Sequence, residues 1–106
     1  MVTAQGDLLD VGTMLRDLPA DTVWALGGIG DEQFRMNSLA VALGGGVRVG
    51  IEDTIYLDAD RTELATNDAL LRRVHDLVDL HGRSVMSPTE FRDRLSLQPG
   101  NGAYGR

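Results

Sequence analysis

Gly46-Val47-Arg48-Val49-Gly50-Ile51-Glu52-Asp53 reads as a buried strand that carries charge where a strand should be apolar. Period-2 alternation sends Val47, Val49 and Ile51 to one face and Arg48, Gly50 and Glu52 to the other, with Asp53 at the strand's end. The Val/Val/Ile face calls for a cover of helices. On the opposite face, an arginine and a carboxylate buried without partners would cost several kcal/mol. They must therefore meet each other, a metal, or a charged ligand at the C-terminal edge of a sheet. The alternative is an exposed edge strand with a solvated polar face.

Around this stretch the chain alternates helices and strands, with glycine clusters as punctuation and no internal repeat. Upstream, Val11 to Leu18 forms a first helix, with Met14, Leu15 and Leu18 at helical spacing and Pro19 as breaker. Thr22 to Leu26 is a short strand that ends in Gly27-Gly28-Ile29-Gly30. A second helix starts at Asp31, presents Phe34, Leu39, Ala40 and Leu43 as its apolar stripe, and closes at Gly44. The charged strand then extends from Val47 to about Leu57, interrupted near Glu52 and Asp53. After a polar loop, Asp58 to Thr66, Asn67 caps the strongest helix, whose Leu70, Leu71, Val74, Leu77 and Val78 share one face up to Gly82. Ser87-Pro88-Thr89-Glu90 is a capping box with proline at the first helical position, and it opens a short helix that buries Phe91 and Leu95. The glycines and polar residues beyond Ser96 suggest a flexible tail, 97–106. Such βα units define an α/β fold with a parallel sheet.

Composition narrows the function classes. The chain has 106 residues, 42% of them hydrophobic and 25% charged, which is a globular balance in one domain. That length is well short of the roughly 250 residues of a complete (β/α)8 barrel. A formal charge of −6 and the absence of a basic stripe argue against nucleic acid as a partner. No apolar run suits a membrane, and Met1 to Asp10 lacks the pattern of a targeting segment, so a cytoplasmic location is expected. Without cysteine, disulfides, thiolate catalysis and Cys-ligated zinc are excluded. All ten basic residues are arginine, which removes Schiff-base chemistry and a P-loop lysine.

Of the candidate sites, the Gly27 to Gly30 loop could cradle an anion on backbone N–H groups, with Gly28 and Gly30 as cofactor-binding positions. Equally, it could be a tight βα turn. His75 and His81 are about 240° apart on one helix and cannot share a ligand face. Arg72 and Arg73 face Asp76 and Asp79 on a solvated surface, and Trp24 reads as core. Arg48, Glu52 and Asp53 remain. A carboxylate at a strand's C-terminal end is where parallel α/β folds place metal ligands or bases, and an arginine there can fork onto a carboxylate. A structural ion pair closing the sheet reads the same three residues equally well.

The order Trp24, Gly28-Ile29-Gly30, Leu43-Gly44-Gly45, Val47-Arg48-Val49-Gly50-Ile51-Glu52-Asp53, Tyr56-Leu57 and Ala65-Thr66-Asn67 resembles the C-terminal third of the β-keto acid cleavage enzymes. Leu80-His81-Gly82-Arg83-Ser84-Val85 and Ser87-Pro88-Thr89-Glu90 are similar to that family's final helices. The resemblance implies the last two βα units, the seventh and eighth, of a (β/α)8 TIM barrel over 1–96. It implies an acyltransferase that reacts a β-keto acid with acetyl-CoA, giving acetoacetate and a new acyl-CoA. Carried over by position, Glu52 ligates a divalent metal, usually zinc, while Arg48 and Asp53 handle the proton and help form the enolate. Gly46 departs from the family, which more often has a larger residue there. The first six strands, with a pair of histidines that complete the metal site, are absent from these residues. Little activity is therefore expected of the chain alone, and pairing with a complementing N-terminal polypeptide or a homo-oligomer is expected. The competing expectation is a non-catalytic interaction module.

Overall fold

In the computed structural model, which describes residues 4–98 and residue 100, a two-stranded parallel sheet lies against two helices. The order is α1 (Leu8–Asp17), β1 (Ala25–Leu26), α2 (Glu32–Ala42), β2 (Gly46–Val47), α3 (Asn67–Leu80) and α4 (Pro88–Arg94). Strands β1 and β2 pair in the register Ala25 to Gly46 and Leu26 to Val47, with α2 as the crossover between them. The ladder is continued by the Gly46 amide donating to the Trp24 carbonyl at 2.9 Å and the Arg48 amide to Leu26 at 3.0 Å. Helix α2 packs on both strands and on α3. This is the expected α/β arrangement of parallel strands and crossover helix.

Both strands are shorter than their sequence suggests. A strand exists only where a neighbour takes its hydrogen bonds. Beyond Arg48 the chain has no ladder partner, and it turns at Gly50, whose carbonyl accepts the Asp53 amide at 3.1 Å. Ile51, expected on the covered face, is consequently exposed, whereas Val47 and Val49 pack as expected on the Val41, Val74 and Val78 cluster. Residues 55–57 and 63–65 then fold back as a small antiparallel loop, bridged at Tyr56 and Leu64.

The buried face of α2 also differs from expectation. Gln33, Met36, Asn37, Ala40 and Val41 are buried, while Phe34 and Leu43 are exposed. The period is helical, but two of its positions are amides rather than hydrocarbons. Against this layer Gly45 meets the ring of Trp24 so closely that a Cβ would fall 2.2 Å from it. Helix α2 ends under Arg83, whose guanidinium donates to the carbonyls of Val41 and Gly45 at 2.9 Å and of Gly44 at 3.1 Å. A cation beside the carbonyls at and just past a helix C-terminus adds hydrogen bonds to them and complements the helix dipole.

Caps set the remaining ends. Asp7 accepts from the Asp10 amide and starts α1 earlier than its apolar spacing alone suggested. Thr66, not Asn67, caps α3 by accepting from Ala69 at 3.1 Å. The Ser87 and Glu90 capping box forms as read, but Phe91 and Leu95 on α4 are exposed rather than buried, because α4 meets little of the rest. Of the expected flexible tail, 97–106, residue 99 and residues 101–106 lie outside the described residues. Among the described residues no helix is long and apolar enough to cross a membrane.

Candidate active site

Arg48, Glu52 and Asp53 come together just past the C-terminal end of β2. The Arg48 Nη2 group donates to Glu52 Oε1 at 3.1 Å, and Nη1 stands 3.2 Å from Asp53 Oδ2. They meet because the chain turns at Gly50, not because a continued strand lines them up. Arg48 and Glu52 are exposed, at 62% and 60% of their side chains, and Asp53 is shielded at 13%. The Arg48 contact lies off the hydrogen-bond axis of Asp53 Oδ2, so that buried oxygen lacks an aligned donor. Exposed ion pairs contribute only about 0–1 kcal/mol. The exposed Arg48–Glu52 pair therefore contributes little to stability.

The turn is held from beneath by α2 and from the side by α3. Asn37 Nδ2 donates to the Leu26 carbonyl at 3.2 Å and the Arg48 carbonyl at 3.1 Å, joining the strand ends. One helical turn earlier, Gln33 Nε2 donates to the Gly50 carbonyl at 3.2 Å. Asn67, expected as a cap, instead accepts the Ile51 amide on its side-chain oxygen at 3.1 Å. Residues 48, 50 and 51 are therefore each fixed by an amide side chain. Spacing i, i+4 in an otherwise buried helical period was the available signal for Gln33 and Asn37.

The glycine loop is largely taken up by the fold. The Gly30 amide donates to the Asp53 carbonyl at 2.7 Å, so it is engaged internally and ties the loop after β1 to the candidate site. At Gly28 a Cβ would fall 2.5 Å from the Glu32 carbonyl oxygen, so glycine there is what lets the loop approach α2. His75 and His81 are both exposed. Arg73 differs from the solvated surface expected for it. It donates to the Leu57 carbonyl at 2.5 Å and lies over the Phe34 ring, 4.4 Å from its centroid. Burial lowers its pKa below the usual arginine range. Arg72 pairs at 2.7 Å with Asp68 rather than with Asp76 or Asp79.

A metal needs more than these residues offer. Among the described residues no three His, Cys, Asp or Glu side chains group together. Glu52 by itself does not fit a zinc site, which takes three protein ligands and a water.

Parallel α/β folds place ligand-binding and catalytic side chains past the C-terminal ends of their strands, and the Arg48, Glu52 and Asp53 cluster lies past the end of β2. Residues 1–97 match the beta-keto acid cleavage enzyme family, and the chain belongs to that family. It is 40% identical over 90 residues to the 3-keto-5-aminohexanoate cleavage enzyme of Fusobacterium nucleatum, covering 84% of this chain and 32% of that protein. Similarity extends to the 3-dehydrocarnitine:acetyl-CoA trimethylamine transferase of Rhizobium meliloti, at 32% identity over 89% of this chain and 31% of that protein. The 3-oxoadipate:acetyl-CoA acetyltransferase of Cupriavidus necator is 37% identical over 78% of this chain and 29% of its own length. The chain spans about a third of the length of the curated relatives it matches.

Proposed function

We propose that this chain supplies the last two βα units of a (β/α)8 barrel that exchanges acyl groups between a β-keto acid and acetyl-CoA. The remaining barrel would come from further residues of a longer chain or from a second polypeptide. In the reaction a β-keto acid, R-CO-CH2-COO⁻, loses a proton from C2 and its enolate attacks the acetyl thioester. That attack expels coenzyme A as its thiolate, which then attacks the R-CO carbonyl; the bond between that carbonyl and C2 breaks and C2 regains the proton, leaving acetoacetate and R-CO-CoA. Asp53, held beside the Arg48 guanidinium, would handle the C2 proton together with Arg48, the role the family resemblance gives this pair. Arg48 stabilises the enolate charge and can fork onto the substrate carboxylate. Glu52 would contribute one ligand to a divalent metal, zinc by the family resemblance, whose other ligands lie outside these residues. The observation that carries the reading is the Arg48 guanidinium shared between Glu52 and Asp53 at the strand edge.

Co-production with a polypeptide carrying the first six βα units of a relative tests it by acetyl-CoA-dependent acetoacetate formation. Activity is expected only from the pair. Asp53→Asn should lower it about 10²- to 10⁴-fold, the range for loss of a general base, and Glu52→Gln should abolish it together with metal retention. An active pair indifferent to both substitutions, or an assembled pair that makes no acetoacetate, overturns the proposal.

A further inference from the structure

Next to the candidate site in sequence, the loops after β1 and β2 line a half-open cleft of about 170 Å³ beside the start of α2. Phe34, Tyr56 and Ala59 give it apolar walls, Arg73, Asp31 and Asp58 bring charge to it, and so does Arg35, which pairs with Glu32 at 3.4 Å. Both carboxylates are already committed. Asp31 pairs with Arg61 at 3.1 Å, while Asp58 accepts the Thr62 amide and hydroxyl and the Glu63 amide. Arg73 is different, since its contacts are a neutral carbonyl and an aromatic ring. No carboxylate among the described residues pairs with it. A guanidinium has five N–H donors, and one bond to Leu57 leaves most of them free. A half-buried cation without a counter-charge gains most from an anion.

Size and walls narrow the ligand. The cavity is smaller than the roughly 300–1,000 Å³ of pockets that enclose a whole small molecule, so it suits one end of an extended ligand. Aromatic walls beside a guanidinium suit a planar heterocycle carrying a phosphate. We propose that this cavity holds the adenosine phosphate end of coenzyme A, the base against its aromatic walls and the phosphate on Arg73. The assignment rests on the acetyl-CoA reading above and adds where that substrate is gripped.

The test is titration of the chain, assembled with the polypeptide that carries the other βα units, with adenosine 3′,5′-bisphosphate, and with adenosine and inorganic phosphate as separate probes, followed by backbone amide shifts of the labelled chain. Saturable shifts at Phe34, Tyr56 and Ala59 are expected with the bisphosphate, at least tenfold tighter than with either part. Arg73→Met should weaken binding at least tenfold. Ala59→Trp, which fills the cavity and leaves Arg73 and its Leu57 bond in place, should do the same if the site is real. Absence of these shifts, equal binding of inorganic phosphate, or indifference to Ala59→Trp overturns the site. In the assembled enzyme, Arg73→Met should raise KM for acetyl-CoA at least tenfold with kcat little changed. An active enzyme whose KM ignores Arg73 sinks the site and leaves the function standing, whereas bisphosphate binding without acetoacetate formation does the reverse.

Discussion

At the scale of single residues, carbonyls and carboxylates organise this protein as much as hydrocarbon does. Asp58 gathers two backbone amides and a hydroxyl, and these hydrogen bonds lower its pKa to about 2 from an ordinary 3.8. A carboxyl with a depressed folded pKa contributes its stabilisation in full above the ordinary value and loses it as pH falls through the folded one. The 58–63 loop should therefore hold its order at pH 4 and lose it towards pH 2. A carboxyl titration followed by NMR should find the Asp58 midpoint near 2, and Asp58→Ala should speed amide exchange at Thr62 and Glu63 at neutral pH. A midpoint at the ordinary value, or unchanged exchange, would contradict the bonds seen here.

At the scale of elements, α2 is a helix that grips strands with amides. The Asn37 clamp joins β1 to β2, and its own Oδ1 is buried without a partner, as is Gln33 Oε1. Asn37→Leu removes the donor to the Arg48 carbonyl but also removes an unpartnered oxygen, so its net cost should be about 1 kcal/mol. Asn37→Asp puts an unpaired buried charge opposite two carbonyls and should cost about 3 kcal/mol. Urea unfolding midpoints check the order, and an aspartate no worse than leucine would mean that the clamp is not formed. The apolar stripe read from Phe34, Leu39, Ala40 and Leu43 misplaced this face because hydropathy alone gives no credit to an amide that meets backbone carbonyls. By contrast, Leu70, Val74 and Val78 of the α3 face were legible as hydrocarbon at helical spacing and Leu77 is partly buried beside them, whereas Leu71, read onto the same face, is exposed.

At the scale of the whole molecule, the described residues bury little. The buried apolar side chains are Val11, Met36, Ala40, Val41, Leu70, Val74 and Val78, while Leu8, Leu9 and Leu80 are 69%, 79% and 85% exposed. The radius of gyration is 15.4 Å, against about 13 Å for a compact domain of this length. Helices α1 and α4 present apolar residues with little to cover them, as expected of units that pack on neighbouring βα units. The chain by itself should bind a hydrophobic dye and self-associate in sedimentation at micromolar concentration. Addition of a polypeptide bearing the other βα units should suppress both. A monodisperse monomer that binds no dye would show that these faces need no cover.

The sequence by itself determined the helices, their glycine stops, the capping box of α4, the parallel βαβ order and the family, because these follow from short-range periodicity and from motifs such as Arg48 to Asp53. It also singled out Arg48, Glu52 and Asp53 as the charged group that needs a partner. Only the tertiary structure decided where the strands end, since ladder hydrogen bonds depend on a neighbour distant in the chain. Through long-range contacts it assigned Asn67 to the Ile51 amide, Arg83 to the end of α2, and Arg73 to Leu57 and Phe34. Those side chains carry no local signature, because a donor's partner is chosen by the fold rather than by its neighbours in sequence.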